Sequence, residues 1–546
     1  MIPSIQKSVS KSLAVKCILI LLAGVIGTGA FLRLESQEKP KKDLRLVVLI
    51  AIDQFRYDYL TRFRDEYNSG LDLLLRNGAN FVNANLEHYP TVTAIGHSTM
   101  LSGATPKVSG IIGNDWYDRE SGKTVTSVSD GSVRLIGASD SEGASPRRLL
   151  VSTLGDEMKR GLADHPKVIG ISLKDRAAIL PSGHMADAAY WYDMKSGNFI
   201  SSTYYFQKVP GWVEEFNQRK LPAKYAGAEW PFQKSAPGGL FKMPAEAGPR
   251  LSAAVYSTPF GSELLEQFAE ETVRQEKLGA RDATDLLTVS FSSNDAIGHS
   301  YGPDDPRVHD MCVRTDRILG KLFQYLEQSI GMRHVLVVLT ADHGVMPVPE
   351  TLEQEHMPGG RITGESLFGP MQDALAAHYG PGLWLLQTAG TSPYLNWKLI
   401  QQKNLNLSEV EHVAAQSVAT APHVARVFTR EQLLLGQVPD DKISQRVARS
   451  YNARRSGDLE ILLEPYWIRG ATGTTHGTPY SYDSHIPLVF MGPGIKAGRY
   501  VRPVALNDLA PSLATILNVE TPSGSLGRPL FEMMIDAADG RADAHR

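Results

Sequence analysis

Six residues of this chain carry the carboxylate and imidazole groups that hold zinc through oxygen and nitrogen: Asp53, Asp295, His299, Asp342, His343 and His476. Each alone has a plain explanation. Asp53 can cap a following helix, "TADHG" can end a strand, and "DAIGH" can form a turn. Taken together they are more telling, because nearly all fall where an apolar run stops, although they span more than 400 residues. Three protein ligands per ion leave a position open for substrate, so six ligands divide into two sets of three. Two metal ions about 4 Å apart can clamp the attacking and leaving oxygens of an in-line phosphoryl displacement.

A nucleophile for that reaction lies in "TVTAIGHST", residues 91–99. Pro90 ends an extended segment, and "TAIGHSTMLSG" predicts a short helix with Thr93 at its N-cap. Unpaired N–H groups and the positive end of the helix dipole favour a phosphate there. A threonine hydroxyl is too weakly acidic to attack unaided, but bound to zinc it can ionise near neutral pH as bound water does. Thr93 is therefore expected to touch metal as well as substrate. Lys174 and Arg176 follow the apolar run "KVIGISL". On extended chain, two-residue spacing points both side chains the same way. Two cations would stabilise the extra negative charge of a monoester dianion, with arginine engaging two oxygens at once.

These residues need a frame that gathers them. "LRLVVLIAID" (44–53), "KVIGISLKD" (167–175), "DLLTVSFSSND" (285–295) and "RHVLVVLTADHG" (333–344) share one plan, an apolar β-branched run followed by a polar cluster. Such runs suit central strands of a parallel sheet covered on both faces. Helical patterns lie between them, at 146–162 and 313–329. The alternation predicts an α/β fold with a mostly parallel central sheet and ligands at the carboxyl ends of the strands. Two stretches break it. Residues 190–260, rich in Tyr, Trp, Pro and Gly, read as a cap or loop-rich insert; residues 350–470 carry their own helix and strand signals. Both are taken as elaborations of one catalytic domain over 44–530, followed by a tail at 531–546.

The bulk numbers set the context. The chain has 546 residues, 42% of them apolar, and a formal net charge of −3, which argues against a nucleic-acid partner. Lys7, Lys11 and Lys16 precede "CILILLAGVIGTGAFL", the layout of a secretory signal peptide over 1–30. The competing reading is an uncleaved membrane anchor, and residues 31–43 then form a linker. Of the two cysteines, Cys17 lies in the signal, leaving Cys312 as a free buried thiol. An exported chain without an internal disulfide points to a periplasmic or secreted bacterial enzyme, touching a membrane only if the signal stays attached.

With "AIDQFRYDYL", "YPTVTAIGHSTMLSG", "GIIGNDWYD", "SLKDRAAIL", "SSNDAIGHSYGP", "TADHGV" and "THGTPYSYDSHIPLVFMGPGI", the chain resembles the alkaline phosphatase superfamily. It is most similar to the threonine-type, phosphate-irrepressible bacterial alkaline phosphatases, relatives of the nucleotide pyrophosphatase/phosphodiesterases. The resemblance runs from about 44 to 530. It implies a three-layer sandwich with cap insertions and two zinc ions, one on Asp295, His299 and His476, the other on Asp53, Asp342 and His343. It selects Thr93 as nucleophile through the pattern Pro-x-x-Thr-x-x-x-His, and His476 over His485, which is left a structural role. Asn114, 21 residues after Thr93, then donates to a phosphoryl oxygen, and Lys174 with Arg176 reads the dianion. "TAIGH" lacks the Cys/Ser-x-Pro-x-Arg context of the sulfatases. The resulting expectation is a monomeric phosphomonoesterase for small phosphate esters that works through a phosphothreonine intermediate. The alternatives are a phosphodiesterase or nucleotide pyrophosphatase with the same site, and a non-catalytic phosphate-binding relative.

Overall fold

The computed structural model describes residues 44–138, 142–232 and 240–535. The expected signal peptide (1–30) with Cys17, the linker (31–43) and most of the tail lie outside these residues. Strand β1 spans Leu46–Ile52, LVVLIAI, and every residue in it is buried. It forms because a β-branched run without a charge sits between Arg45 and Asp53. It stays apolar on both faces because it has parallel neighbours on either side, Leu46 pairing with Asp285 and with Val335. Each such fully buried Val, Leu or Ile contributes about 1.5–3 kcal/mol.

The elements that position the site are, along the chain, β1, helix α1 (Thr93–Ser102), β2 (Val168–Ser172), α2 (Asp175–Ser182), β3 (Ala188–Asp193) and β4 (Asn198–Ser202). They continue with β5 (Asp285–Phe291), α3 (Ser293–Tyr301), α4 (Pro306–Ser329), β6 (Val335–Thr340) and β7 (Leu488–Met491). An 11-stranded sheet runs Gly498–Tyr500, Ala79–Phe81, β7, β6, β1, β5, β2, β3, β4, Ser129–Ile136, Glu142–Ala144. The middle run β6-β1-β5-β2-β3 is parallel throughout, and β7 and β4 flank it antiparallel.

Three expectations change here. The aromatic stretch opening the 190–260 region is not a cap: Tyr190 and Trp191 lie in β3 and Phe199 in β4, inside the central sheet. Its aromatic rings fill the layer beneath the helices, with Phe199 stacked 3.8 Å from Phe268. The helix read over 146–162 begins only at Leu154, where a Thr153–Asp156 capping box starts it, and residues 146–148 are a 3-10 turn. Helix α1 starts with Thr93 as its first turn residue, Val92 being the N-cap, so the Thr93 hydroxyl caps nothing.

The 350–470 region has its own core. Leu367, Met371, Val410, Ala414 and Leu459 form one cluster, and Phe428, Leu433, Val447 and Leu462 another that takes in Tyr89, from just before helix α1. Cys312 is a free, buried cysteine. Among the described residues no helix is long and apolar enough to cross a membrane.

Candidate active site

The neighbouring strands β6, β1, β5 and β2 end side by side, and the chemistry-bearing residues follow those ends. Asp53 comes directly after β1, Asp342 and His343 after β6, and Lys174 after β2. Asp295 and His299 stand one turn apart on α3, so both face the same side. In an open parallel sheet this is where ligands bind. Loop residue His476 completes the set and stacks on His343 with ring centroids 3.5 Å apart.

The three imidazoles are oriented alike. His343 Nδ1 lies 3.0 Å from the Gly344 carbonyl, His299 Nδ1 2.9 Å from that of Thr474, and His476 Nδ1 2.7 Å from that of Thr91. A carbonyl only accepts, so each Nδ1 carries the proton and each Nε2 presents a lone pair to the centre. His299 Nε2 and His476 Nε2 lie 3.2 and 3.7 Å from Asp295 Oδ1. His343 Nε2 is 3.5 Å from Asp53 Oδ1 and 3.4 Å from Asp342 Oδ2. Asp53 Oδ1 and Asp342 Oδ2 are buried without a hydrogen-bond partner. Orphaned carboxylate oxygens facing free imidazole lone pairs are a donor set that fits two divalent metal ions.

Two ligand groups have their donor atoms within 4.8 Å of one another: Asp295, His299 and His476; and Asp53, Asp295 and His343. The second differs from expectation, with Asp295 in the place given to Asp342. Asp295 thus belongs to both groups, while Asp342 spends Oδ1 on the backbone N–H groups of Gln54 and His343 and keeps its unpartnered Oδ2 3.4 Å from His343 Nε2.

The buried charges push on one another. Burial and then the Asp295 and Asp342 carboxylates raise Asp53 well above the usual carboxylate range, against the pull of Lys174. Burial also acts to raise Asp295, but Lys174 and His299 overcome it and hold Asp295 well below that range. His476 is held well below the ordinary histidine value by burial and by the neighbouring His343 and His299, which favours the neutral, ligating form.

Lys174 and Arg176 are not placed as expected. Lys174 is the residue before α2 and Arg176 its second residue, so they do not share an extended strand. Lys174 Nζ sits 2.6 Å from both Asp53 Oδ2 and Asp295 Oδ2, bridging the two carboxylates. Two buried anions attract this cation more strongly than an open cleft would. Among the described residues, Arg176 keeps a buried Nε without a partner and its guanidinium pairs only with Asp175, at 3.6 Å.

Thr93 Oγ1 is buried 3.4 Å from His343 Nε2. Gly96 brings it there, because a Cβ at this position would fall 2.4 Å from the Asp342 carbonyl oxygen. Helix α1 therefore lies directly on the strand-end loop. Its first N–H groups are not all free: Ala94 N–H donates to Asn114 Oδ1 (2.9 Å), and Ile95 and Gly96 donate to Val92 O. Asn114 is thus tied to helix α1 through its oxygen, with its NH₂ left as the donor. His485 lies outside the cluster, with Nε2 3.0 Å from the Val82 carbonyl.

Three supporting residues escaped the sequence reading. Gln54, in left-handed backbone (φ 62°), donates from Nε2 to Asp295 Oδ1 (2.8 Å) and from its backbone to Asp342. In its present position the side chain packs on Gly298, where a Cβ would meet Gln54 Oε1 at 1.8 Å and force it to shift. His97 spans Thr93 O (2.9 Å) and Ser290 Oγ (2.8 Å). Buried Asp483 accepts from Thr478 N–H and Oγ–H, fixing the loop that bears His476. The "GH" of "TAIGH" hinted at His97; nothing local marked Gln54 or Asp483.

The family of type I phosphodiesterases / nucleotide pyrophosphatases matches residues 47–482. The chain is 35% identical to a calcium-transporting ATPase of Myroides odoratus over 92% of this chain and 96% of that one. It is 34% identical to alkaline phosphatase PafA of Elizabethkingia meningoseptica (94% and 98%) and 35% to alkaline phosphatase PhoV of Synechococcus elongatus (90% and 93%). The crystal structure of PafA superimposes with a TM-score of 0.84 over 90% of this chain and 99% of that one.

Proposed function

The chain belongs to the type I phosphodiesterase / nucleotide pyrophosphatase family, and we propose that within it the protein is a phosphomonoesterase of the alkaline phosphatase type. The observation that carries the reading is the convergence of Thr93, two ligand groups and Lys174 beyond the ends of neighbouring parallel strands. Asp295, His299 and His476 would hold one zinc ion, and Asp53 and His343, with Asp342 beside them, the other. Zinc bound there supplies Lewis acidity toward the phosphoryl oxygens and lowers the pKa of a coordinated hydroxyl.

The protein's own groups then divide the work. Helix α1 holds Thr93 Oγ1 rigidly at the centre, and the bond from Oγ1 to phosphorus forms as the bond to the ester oxygen breaks. The alcohol departs, and water cleaves the phosphothreonine to release phosphate. The Asn114 amide and the Arg176 guanidinium bind phosphoryl oxygens, while Lys174 adds positive charge to the floor that a dianion faces. His97 and Gln54 keep the nucleophile and carboxylates in register. The N-terminal pattern supports export, as a periplasmic or secreted enzyme.

The test is kcat/KM on p-nitrophenyl phosphate and on bis-p-nitrophenyl phosphate with zinc-loaded protein. A monoester preference that falls by about 10²-fold in Arg176→Ala, with the diester rate little changed, is the expected result. A diester preference unmoved by the substitution overturns the reading in favour of a phosphodiesterase.

A further inference from the structure

We propose that a cavity of about 360 Å³ beside the ligand groups seats the leaving-group alcohol of the ester, and that it favours aromatic or apolar alcohols. This rests on the phosphomonoesterase reading and adds the substrate class. The geometry of the displacement places the occupant. Thr93 Oγ1 lies against His343, in one ligand group; the group of Asp295, His299 and His476 adjoins it, sharing Asp295 and stacking His476 on His343. In an in-line displacement the leaving oxygen departs on the side opposite the nucleophile. The cavity reaches the site through His476, a member of the group that does not hold His343, and through Asn114, the proposed phosphoryl donor.

Its walls fit an apolar group. Val92 and Ile112 come from the catalytic core, and Leu462 and Trp467 from the end of the 350–470 region. The tip of the hairpin formed by Leu385–Ala389 and Ser392–Leu395 closes it from above. Three charged residues, Asp115, Glu460 and Arg469, break the apolar surface. Glu460, nine-tenths buried, accepts a hydrogen bond from Ser392 Oγ at 3.0 Å, and Arg469 has a buried Nε without a partner. Small-molecule sites of about 300–1,000 Å³ combine apolar walls with a few such polar groups in this way. A ring with a polar substituent fits best, the ring against Trp467 and Leu462 and the substituent toward Glu460 or Arg469.

The experiment compares 2-naphthyl phosphate with methyl phosphate as substrates of the zinc-loaded full chain, native and Ala389→Trp. Ala389 lines the cavity from the hairpin and touches none of the proposed catalytic groups, so the tryptophan fills the space. We expect kcat/KM for the naphthyl ester to fall about tenfold, a typical cost of altering an apolar pocket. The methyl ester rate and inhibition by inorganic phosphate stay unchanged. In Ile112→Ala, which removes wall instead of adding bulk, KM for the naphthyl ester rises severalfold with the same two controls unmoved. Equal losses on both esters, or an unaltered naphthyl rate in both variants, overturn the proposal while leaving the phosphatase reading intact. Failure of the native enzyme to turn over either monoester sinks the phosphatase reading itself.

Discussion

The floor of the site and the 350–470 region are built on opposite plans. The floor is charge brought together from far apart: Asp53, Lys174, Asp295 and Asp342 are all buried, yet no two are near in sequence. Their neighbours are other charges and backbone dipoles, and they are held by the ends of strands whose apolar runs are inaccessible to water. The 350–470 region is a locally folded apolar cluster, with Leu367, Met371, Val410 and Leu459 packed within about a hundred residues of chain. The difference separates the two tasks. Chemistry needs rigid, desolvated charges, which only a central sheet fixes; selection among alcohols needs a wall that can vary without disturbing that sheet.

The sharpest way to break this comparison is at the floor. Thr93→Ala should lower phosphomonoester turnover by about 10³-fold or more, read as kcat on p-nitrophenyl phosphate. Unfolding should shift by only about 1 kcal/mol, because the hydroxyl has a single long contact, to His343 at 3.4 Å. Residual activity near the native level would remove Thr93 as nucleophile. In the outer region the balance should invert. Leu459→Ala, at a fully buried position, should cost about 2–5 kcal/mol in a denaturant titration, while turnover of methyl phosphate per folded molecule stays within about twofold. A collapse of that turnover would mean the two regions are not separable.

The smallest effect tests the buried acidic group on the cavity wall. Burial pushes the Glu460 carboxyl from 4.5 up to about 7, with the Ser392 hydroxyl pulling the other way. A raised folded-state value stabilises the fold fully below pH 4.5, and that contribution is lost as pH rises through about 7. Between pH 5 and 8 the native protein should therefore lose about 2 kcal/mol that Glu460→Gln keeps. Parallel curves for the two proteins would show that Glu460 does not titrate in this window.

The central strands were legible because their signal is local. "LVVLIAI" and "VLVVLT" are uninterrupted β-branched runs, and the first polar residue after each is a strand-end aspartate or threonine. The aromatic hairpin around Tyr190 and Phe199 reads as a loop because strands rich in Tyr and Trp around a Gly-containing turn give no uninterrupted β-branched run, although both lie inside the sheet. Lys174 and Arg176 were placed on extended chain because nothing in "KDRAAIL" announces that the helix starts at Asp175.

By itself the sequence determined which residue types gather and at which strand ends, since an apolar run that stops at a carboxylate or imidazole is a pattern of a few residues. It also determined that Gly96 and Gly298 leave no side chain in the way. Only the tertiary structure decided that Asp295 belongs to both ligand groups, that Lys174 bridges Asp53 and Asp295, and that Asn114 ties its oxygen to helix α1. These outcomes depend on which strands become neighbours, and that is set by packing across hundreds of residues and not by any local run.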